Sequence, residues 1–444
     1  MKKAVSLLLI FSLMLLAACG GSGGNGGNSA GGSGNQKDGG STANQNSDVS
    51  QNSGGKTVEL TVWVYDYLAS DDNSPLVQAK KAFEDANPNI KINFQPTVYG
   101  TSSYRDKFIT QVNGGAGPDV IISDVVWVPQ LASMGTILPI TDKAQGVVDQ
   151  FHEGPLQTVT YKGELYGLPW EASPMAIYYN KDAFRAAGLD PDNPPKTWQE
   201  LHDAAKALTG GGKYGFAYMG GWGGSFDWLP FLWQAGGELF DAEGKTALFN
   251  SPEAVESVNF LFGMVKEELI PPAALTWKSW DELNSAFGAG LIAMYQSGAW
   301  SLNSLNSANL SFDWGVFESP AGKQQATVLG GMDWVIGANT VDADAAYKWI
   351  EFITNKENME VLSKFNRISA RKDNTEQSIF SDPQMKVFID SIKFAKARPS
   401  TPVWTEVDYN VLQPALLKIV HDDADVQQTM DEAVKQANEL LSAN

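Results

Sequence analysis

Strand and helix patterns alternate along most of this 444-residue chain, which predicts an α/β protein. Val58, Leu60, Val62 and Val64 alternate as one strand, and Ile90, Ile92 and Phe94 alternate as a second. Pro118-Asp119-Val120-Ile121-Ile122 is short and lacks alternation, as expected of a parallel strand covered on both faces. With helical spacing between them, these runs give βαβαβ order. A ligand crevice is then expected beyond the carboxyl ends of the strands.

The chain opens with Lys2 and Lys3, an apolar run from Ala4 to Leu15, and Leu16-Ala17-Ala18-Cys19, which holds its single cysteine. A short positive start, an apolar stretch and small residues at a cleavage point make a secretion signal. The run is shorter than the roughly 20 residues that span a bilayer. It resembles a bacterial lipoprotein signal with its lipobox, which implies that residues 1–18 are removed and that Cys19 carries lipid, palmitate included. The competing reading is a plain secretory signal with an incidental cysteine. Residues 19–55 are mostly Gly, Ser and Asn and bury too little to order themselves, so they read as a flexible tether. A tether of that length holds a globular body roughly 30 Å from a membrane.

The formal net charge of −19 argues against nucleic acid or an anionic membrane surface as a partner. The charge itself reads as solubility. The 14 tryptophans are less bland, because several stand beside carboxylates in loop-like sequence.

In the first α/β segment, Leu76, Ala79, Phe83 and Ala86 mark a helix that Asn87-Pro88-Asn89 ends, and Tyr104, Phe108, Ile109 and Val112 mark another. A strand at Met175–Tyr179 restarts the pattern after Pro169. Thr197-Trp198-Gln199-Glu200 is a capping box, which makes Trp198 a structural residue. Further strands are expected at 215–219, 291–296, 312–317 and 334–338. Val426, Met430, Val434, Ala437 and Leu441 give a last helix, with Asp422 to Asp425 capping it. Trp233, Trp314 and Trp349 fall in apolar periodic stretches and read as core.

The ordered fragments Phe83-Glu84-Asp85-Ala86-Asn87-Pro88-Asn89-Ile90, Gly117-Pro118-Asp119-Val120, Tyr166-Gly167-Leu168-Pro169, Tyr178-Tyr179-Asn180-Lys181-Asp182 and Pro195-Lys196-Thr197-Trp198 resemble the extracellular solute-binding proteins of ATP-binding cassette importers. Within that family the chain is similar to the carbohydrate-binding group that includes maltose-binding proteins. The resemblance implies a two-lobed periplasmic-binding-protein-like fold of class II, with a ligand cleft between lobes joined by hinge crossings. Crossings are expected near Trp170–Pro174, Val316–Pro320 and Ser369–Asn374. Lobe one is then 56–170 plus 321–368, and lobe two 171–320 plus 369–444. The resemblance also implies a monomer outside the cell that takes a di- or oligosaccharide, meets a membrane permease, needs no cofactor and catalyses nothing.

A sugar ring offers apolar C–H faces and a belt of hydroxyls, so flat aromatics beside carboxylates and amides suit it. Candidates on that ground are Trp63, Tyr65 and Asp66 at the end of the first strand, and Asp124 with Trp127 after the Pro118 strand. Trp170 and Glu171 stand at the first crossing, and Trp222, Asp227 and Trp228 belong to a Gly-rich loop before a helix. Trp300 follows Gln296-Ser297-Gly298-Ala299, which resembles the strand-to-helix turn whose Trp stacks on sugar in the family; a core Trp at the helix start is the competing reading. Asp333 and Trp334 follow Gly330-Gly331; Trp404 and Tyr409 flank a later loop. Arg371 has two readings, a clamp on solute or an ion pair, Glu171 included. Maltose binders carry their acid where Ser173 stands here, which leaves the sugar type open.

Two other classes share these features. A glycoside hydrolase would use Glu171 with Asp124 or Asp333, at a separation of about 5 to 10 Å. The same fold could hold a polyamine or quaternary amine by cation–π contact. His152, His202 and His421 are too scattered for a zinc site, and no Gly-rich stretch has phosphate-loop spacing.

Overall fold

The computed structural model describes residues 57–443, apart from 70, 98–101, 222–223, 361, 363–365 and 376–381. The expected signal, Cys19, the whole tether, and Trp222 lie outside the described residues. Residues 55–444 form one compact unit.

Ten strands are described: β1 Val58–Tyr65, β2 Ile90–Thr97, β3 Val120–Asp124, β4 Thr160–Tyr161, β5 Glu164–Leu165, β6 Gly167–Asn180, β7 Met294–Gly298, β8 Trp314–Phe317, β9 Thr327–Ile336 and β10 Ala395–Lys396. β4 and β5 form a separate hairpin, and the others share a sheet of order β2-β1-β3-β9-β6-β7, with β10 beside β9 and β8 beside β6. β1 pairs in parallel with β2 and β3, as βαβ units require. Helices Pro75–Ala86 and Ser102–Asn113 make the connections; Ser74 Oγ accepts from Val77 N–H at the start of the first, where Pro75 costs no hydrogen bond.

Asp119 explains the Gly117-Pro118-Asp119 fragment. Its buried carboxylate accepts from Thr61 N–H (2.7 Å), Val341 N–H (2.7 Å) and Thr340 Oγ (2.9 Å), tying the loop after β9 to β1. The role is structural, since charge-assisted bonds to backbone amides fix the chain at the sheet end.

β6 differs from expectation. The sequence around Pro169 and Pro174 suggests a strand end and a restart, yet one strand of 14 buried residues runs through both. Its first half pairs with β9 from Gly167↔Val335 to Pro174↔Leu329, and its second half pairs with β7 and β8. β9 makes the complementary exchange: Thr327 and Val328 pair with β10, whereas Met332 to Ile336 pair with β3. Between these handovers, Glu171–Pro174 and Leu329–Met332 form a narrow waist. Ile368 and Ala370 bond the other edge of β6, at Ala172 N–H (3.0 Å) and the Trp170 carbonyl (3.2 Å).

Val316 and Phe317, in the segment expected as the second crossing, pair with Tyr178 and Ile177 of β6. Residues 321–324 are bonded instead to Lys196, Trp198 and Gln234. The segment expected as a strand at Gly215–Met219 has only an isolated bridge, Tyr214↔Ile292, at its edge, and Trp314 is half-buried rather than core. The capping box at Thr197 and Glu200 is present, and Asp425 caps the last helix, Val426–Ser442.

The waist depends on backbone approach. Gly331 has φ +140°, and a Cβ there would stand 1.9 Å from the Glu171 carbonyl oxygen. Only glycine fits without moving β6. We expect Gly331→Ala to lower stability by about 2 kcal/mol or more, measured by urea denaturation; an unchanged midpoint would mean that the strands separate freely.

Candidate ligand cleft

A cavity of about 670 Å³ lies over the waist, within the roughly 300–1,000 Å³ usual for small-molecule sites. Glu171, Ser173, Gly330, Gly331 and Met332 belong to its floor. Strand alternation decides which waist side chains face it. Glu171 and Ser173 line the cavity, whereas Trp170 between β6 and its neighbours packs on Trp334 (centroids 5.4 Å apart). Met332 lines it, whereas Asp333 is fully buried and accepts from Thr158 Oγ at 3.0 Å. Burial pushes the Asp333 carboxyl well above the usual carboxylate range.

Glu171 is the polar centre of the floor. It is 3% exposed, accepts from Ser173 Oγ, and is paired through both oxygens with Arg367 Nη1 at 3.0 Å. Arg367 also donates to Tyr67 Oη (3.3 Å) and lies over the Tyr67 ring, 5.4 Å from its centroid. Arg371, within the expected third crossing, is the cation that the sequence offers for this place. Arg371 instead turns to Asp373 (2.7 Å) and the Phe151 ring (5.6 Å) and does not line the cavity.

A second ion pair closes the opposite wall. Arg398 Nη2 reaches Asp124 Oδ1 at 3.3 Å, with its guanidinium 4.9 Å from the Phe226 centroid. Asp124 also accepts from Val126 N–H at 3.1 Å, so it caps its turn and faces the cavity at once. Trp127 lines the cavity while stacking on Tyr104, centroids 5.7 Å apart.

Trp300 stands at the start of helix Ser301–Ser307, 5.1 Å from the Trp280 ring centroid. Both rings line the cavity. A Cβ on Gly298 would sit 2.0 Å from the Trp300 ring, so the glycine lets the indole lie against the backbone. Asp227 also belongs to the lining; it sits in the first turn of helix Ser225–Gln234, accepts from Met219 N–H at 3.4 Å, and has its carboxyl pushed up by burial. Tyr409, 39% exposed, lines the rim.

Of the candidates, Asp124, Trp127, Glu171, Asp227, Trp300 and Tyr409 come together in this cavity. The others do not. Trp63 packs on Tyr104 and donates to Gln95, and Tyr65 is buried between Tyr67 and Tyr104. Asp66 is exposed and caps its own turn at Tyr67 N–H. Trp228 donates to Ser257 inside the helical layer, Trp334 is sealed by Trp170 and Trp349, and Trp404 packs on Phe240. Sequence reasoning missed Trp280, Arg367, Arg398, Asp408 and Gln413. Only Trp280 had a local signal, the Ser279-Trp280-Asp281-Glu282 capping box.

No group of His, Cys, Asp and Glu among the described residues could hold a metal, and no helix among them is long and apolar enough to cross a membrane.

The family of bacterial extracellular solute-binding proteins matches residues 69–360. This chain belongs to that family. A binding protein of Brucella abortus (strain 2308) is 26% identical over 378 residues, covering 82% of this chain and 89% of its own. The sn-glycerol-3-phosphate-binding periplasmic protein of Shigella dysenteriae is 31% identical over 310 residues, covering 62% of this chain and 66% of its own. Among solved structures, a transporter solute-binding protein of Thermotoga lettingae bound to α-D-tagatose has TM-score 0.77 and 27% identity, over 87% of this chain and 100% of that one. A maltose-bound protein of T. maritima has TM-score 0.76 and 23% identity, over 86% and 100%, and shows the shared fold. The chain thus has the two-lobed binding-protein fold.

Breaking a buried pair leaves an uncompensated charge. Arg367→Met is expected to cost about 3–5 kcal/mol of stability, and adding Glu171→Gln to recover part of it. Chemical denaturation of both variants measures this; equal losses would show that the pair is not coupled.

Proposed function

We propose that this solute-binding protein holds a neutral saccharide over the waist and presents it to the membrane permease of an ATP-binding cassette importer. The observation that carries the reading is the lining, in which Trp127, Trp280, Trp300 and Phe226 share one cavity with Asp124, Glu171 and their arginines. Rings cover C–H faces, and planar charged groups take the hydroxyls. The tagatose-bound relative supports the same solute class.

The glycerol-3-phosphate binders favour a second reading, a phosphorylated polyol, to which Arg367, Arg398 and Lys278 would answer. Both arginines are already committed to Glu171 and Asp124, so a phosphate would compete with carboxylates for them. That same commitment argues against glycoside hydrolysis, which needs one carboxyl to donate a proton and another to attack or activate water. Asp333, the other candidate acid, lies outside the cavity.

The lobes divide, on this reading, through 171–174 and 329–332, with a third passage at 368–371. Solute touching both sides favours closure, since only differential affinity shifts the equilibrium. The body works outside the cell, tethered through lipid on Cys19; mass spectrometry of the mature amino terminus is expected to find that cysteine acylated, and an unmodified Cys19 would remove the anchor.

Calorimetry and thermal shift of the full chain against maltose, D-tagatose, glycerol 3-phosphate and spermidine test the solute class. A true ligand at 100 times its dissociation constant adds about 2.7 kcal/mol. We expect a saccharide to bind and be recovered intact, and Trp300→Ala to weaken it by about 2 kcal/mol. Stabilisation by spermidine alone, or cleavage of the sugar, would overturn the reading.

A further inference from the structure

Trp280 and Trp300 meet at an angle. Trp280 is the first residue of helix Trp280–Gly288, and Trp300 directly precedes helix Ser301–Ser307. Their ring centroids are 5.1 Å apart and their planes are inclined by 56°. Each is half-buried and each lines the cavity, so each keeps accessible surface there.

Both indoles are held in place by the backbone that carries them. Ser279 and Glu282 close the capping box that starts the Trp280 helix. The segment leading into it is anchored by Gly220 and Gly221, whose amides donate to the carbonyls of Ala274 and Trp277, each at 2.9 Å. Trp300 is set by its approach to Gly298. A corner fixed before solute arrives favours the occupant that already has its shape, since little ordering is left to oppose binding.

The angle restricts that occupant. The two apolar faces of a sugar ring are parallel, so one ring cannot lie flat on both indoles. Two rings joined by a β-1,4 bond between equatorial positions continue nearly in one plane and meet the same obstacle. An axial glycosidic bond turns the second ring out of the plane of the first, and an α-linked pair then offers one face to each indole. Asp281, exposed in the first turn of the Trp280 helix and also on the lining, brings a carboxylate to the same rim for hydroxyls of the second ring.

We propose that Trp280 is the platform for a second sugar ring, and that the fixed corner of Trp280 and Trp300 selects α-linked over β-linked saccharides. The inference rests on the saccharide reading of the cavity and assigns the linkage it accepts to these two residues.

The test titrates the full chain with α- and β-linked disaccharides of glucose, galactose and mannose, with the corresponding monosaccharides, and with glycerol 3-phosphate and spermidine. One α-linked disaccharide is expected to bind about 10-fold or more tighter than its β-linked counterpart and than its monosaccharide. Trp280→Ala is expected to weaken that disaccharide by about 10-fold, and by more than it weakens the monosaccharide. Trp280→Phe keeps a flat face and is expected to hold most of the affinity. Equal losses for disaccharide and monosaccharide in Trp280→Ala would make Trp280 a support for Trp300 alone and overturn the platform. A wild-type chain that takes saccharides but binds the β-linked form or the monosaccharide as tightly would refute the corner without any variant having to fold, and leave the saccharide reading standing. A chain that binds no saccharide of the set, whatever glycerol 3-phosphate and spermidine do, would overturn both.

Discussion

Everything in this molecule passes through the approach of β6 and β9 at Glu171 and Gly331. Two strands that each change partners at nearly the same level cannot be held together by a wide sheet, so the waist relies on their mutual bonds and on close backbone packing. The missing Cβ at Gly331 permits the contact. It also leaves the floor of the cavity low and polar, with Glu171 in it. The constraint that joins the two halves of the body is therefore the same one that shapes the floor of the candidate cleft.

From that floor the two ion pairs divide the labour. Glu171–Arg367 ties β6 to the segment that precedes Ile368, and its burial makes it expensive to leave half-formed. Asp124–Arg398 joins the end of β3 to residues following β10 across the cavity. Neither arginine is offered bare to solute. On the proposed reading, such a cavity suits partners that exchange hydrogen bonds without bringing charge, and the tryptophans supply area where rings can lie.

Much of the fold was legible in the sequence. β1, β2 and β3 and the helices between them follow directly from alternation, helical spacing and caps, because each element obeys one period along its length. β6 was not legible as one strand, since Pro169 and Pro174 suggest breaks and its burial on all sides removes any alternation to read. The site was legible by composition and less so by orientation. Trp170 and Glu171 are neighbours on a strand, so one had to face the cavity and the other the core, and composition does not say which. The same ambiguity sent Asp333 and Trp334 to the candidate set in place of Met332. Arg367, Arg398 and Asp408 had no local signal: two depend on partners far away in the chain, and the π turn Asp408–Leu412 is an adjustment of helical winding that leaves no mark in residue spacing.

Hydrogen exchange of the full chain, with and without a saturating saccharide found by calorimetry, tests the central claim most directly. If solute closes the body about the waist, exchange slows together at Glu171–Pro174, at Leu329–Met332 and at the lining segments 224–227 and 279–281, which approach from different elements. Protection confined to one of these groups, with the waist unchanged, would contradict a cleft that closes on its solute.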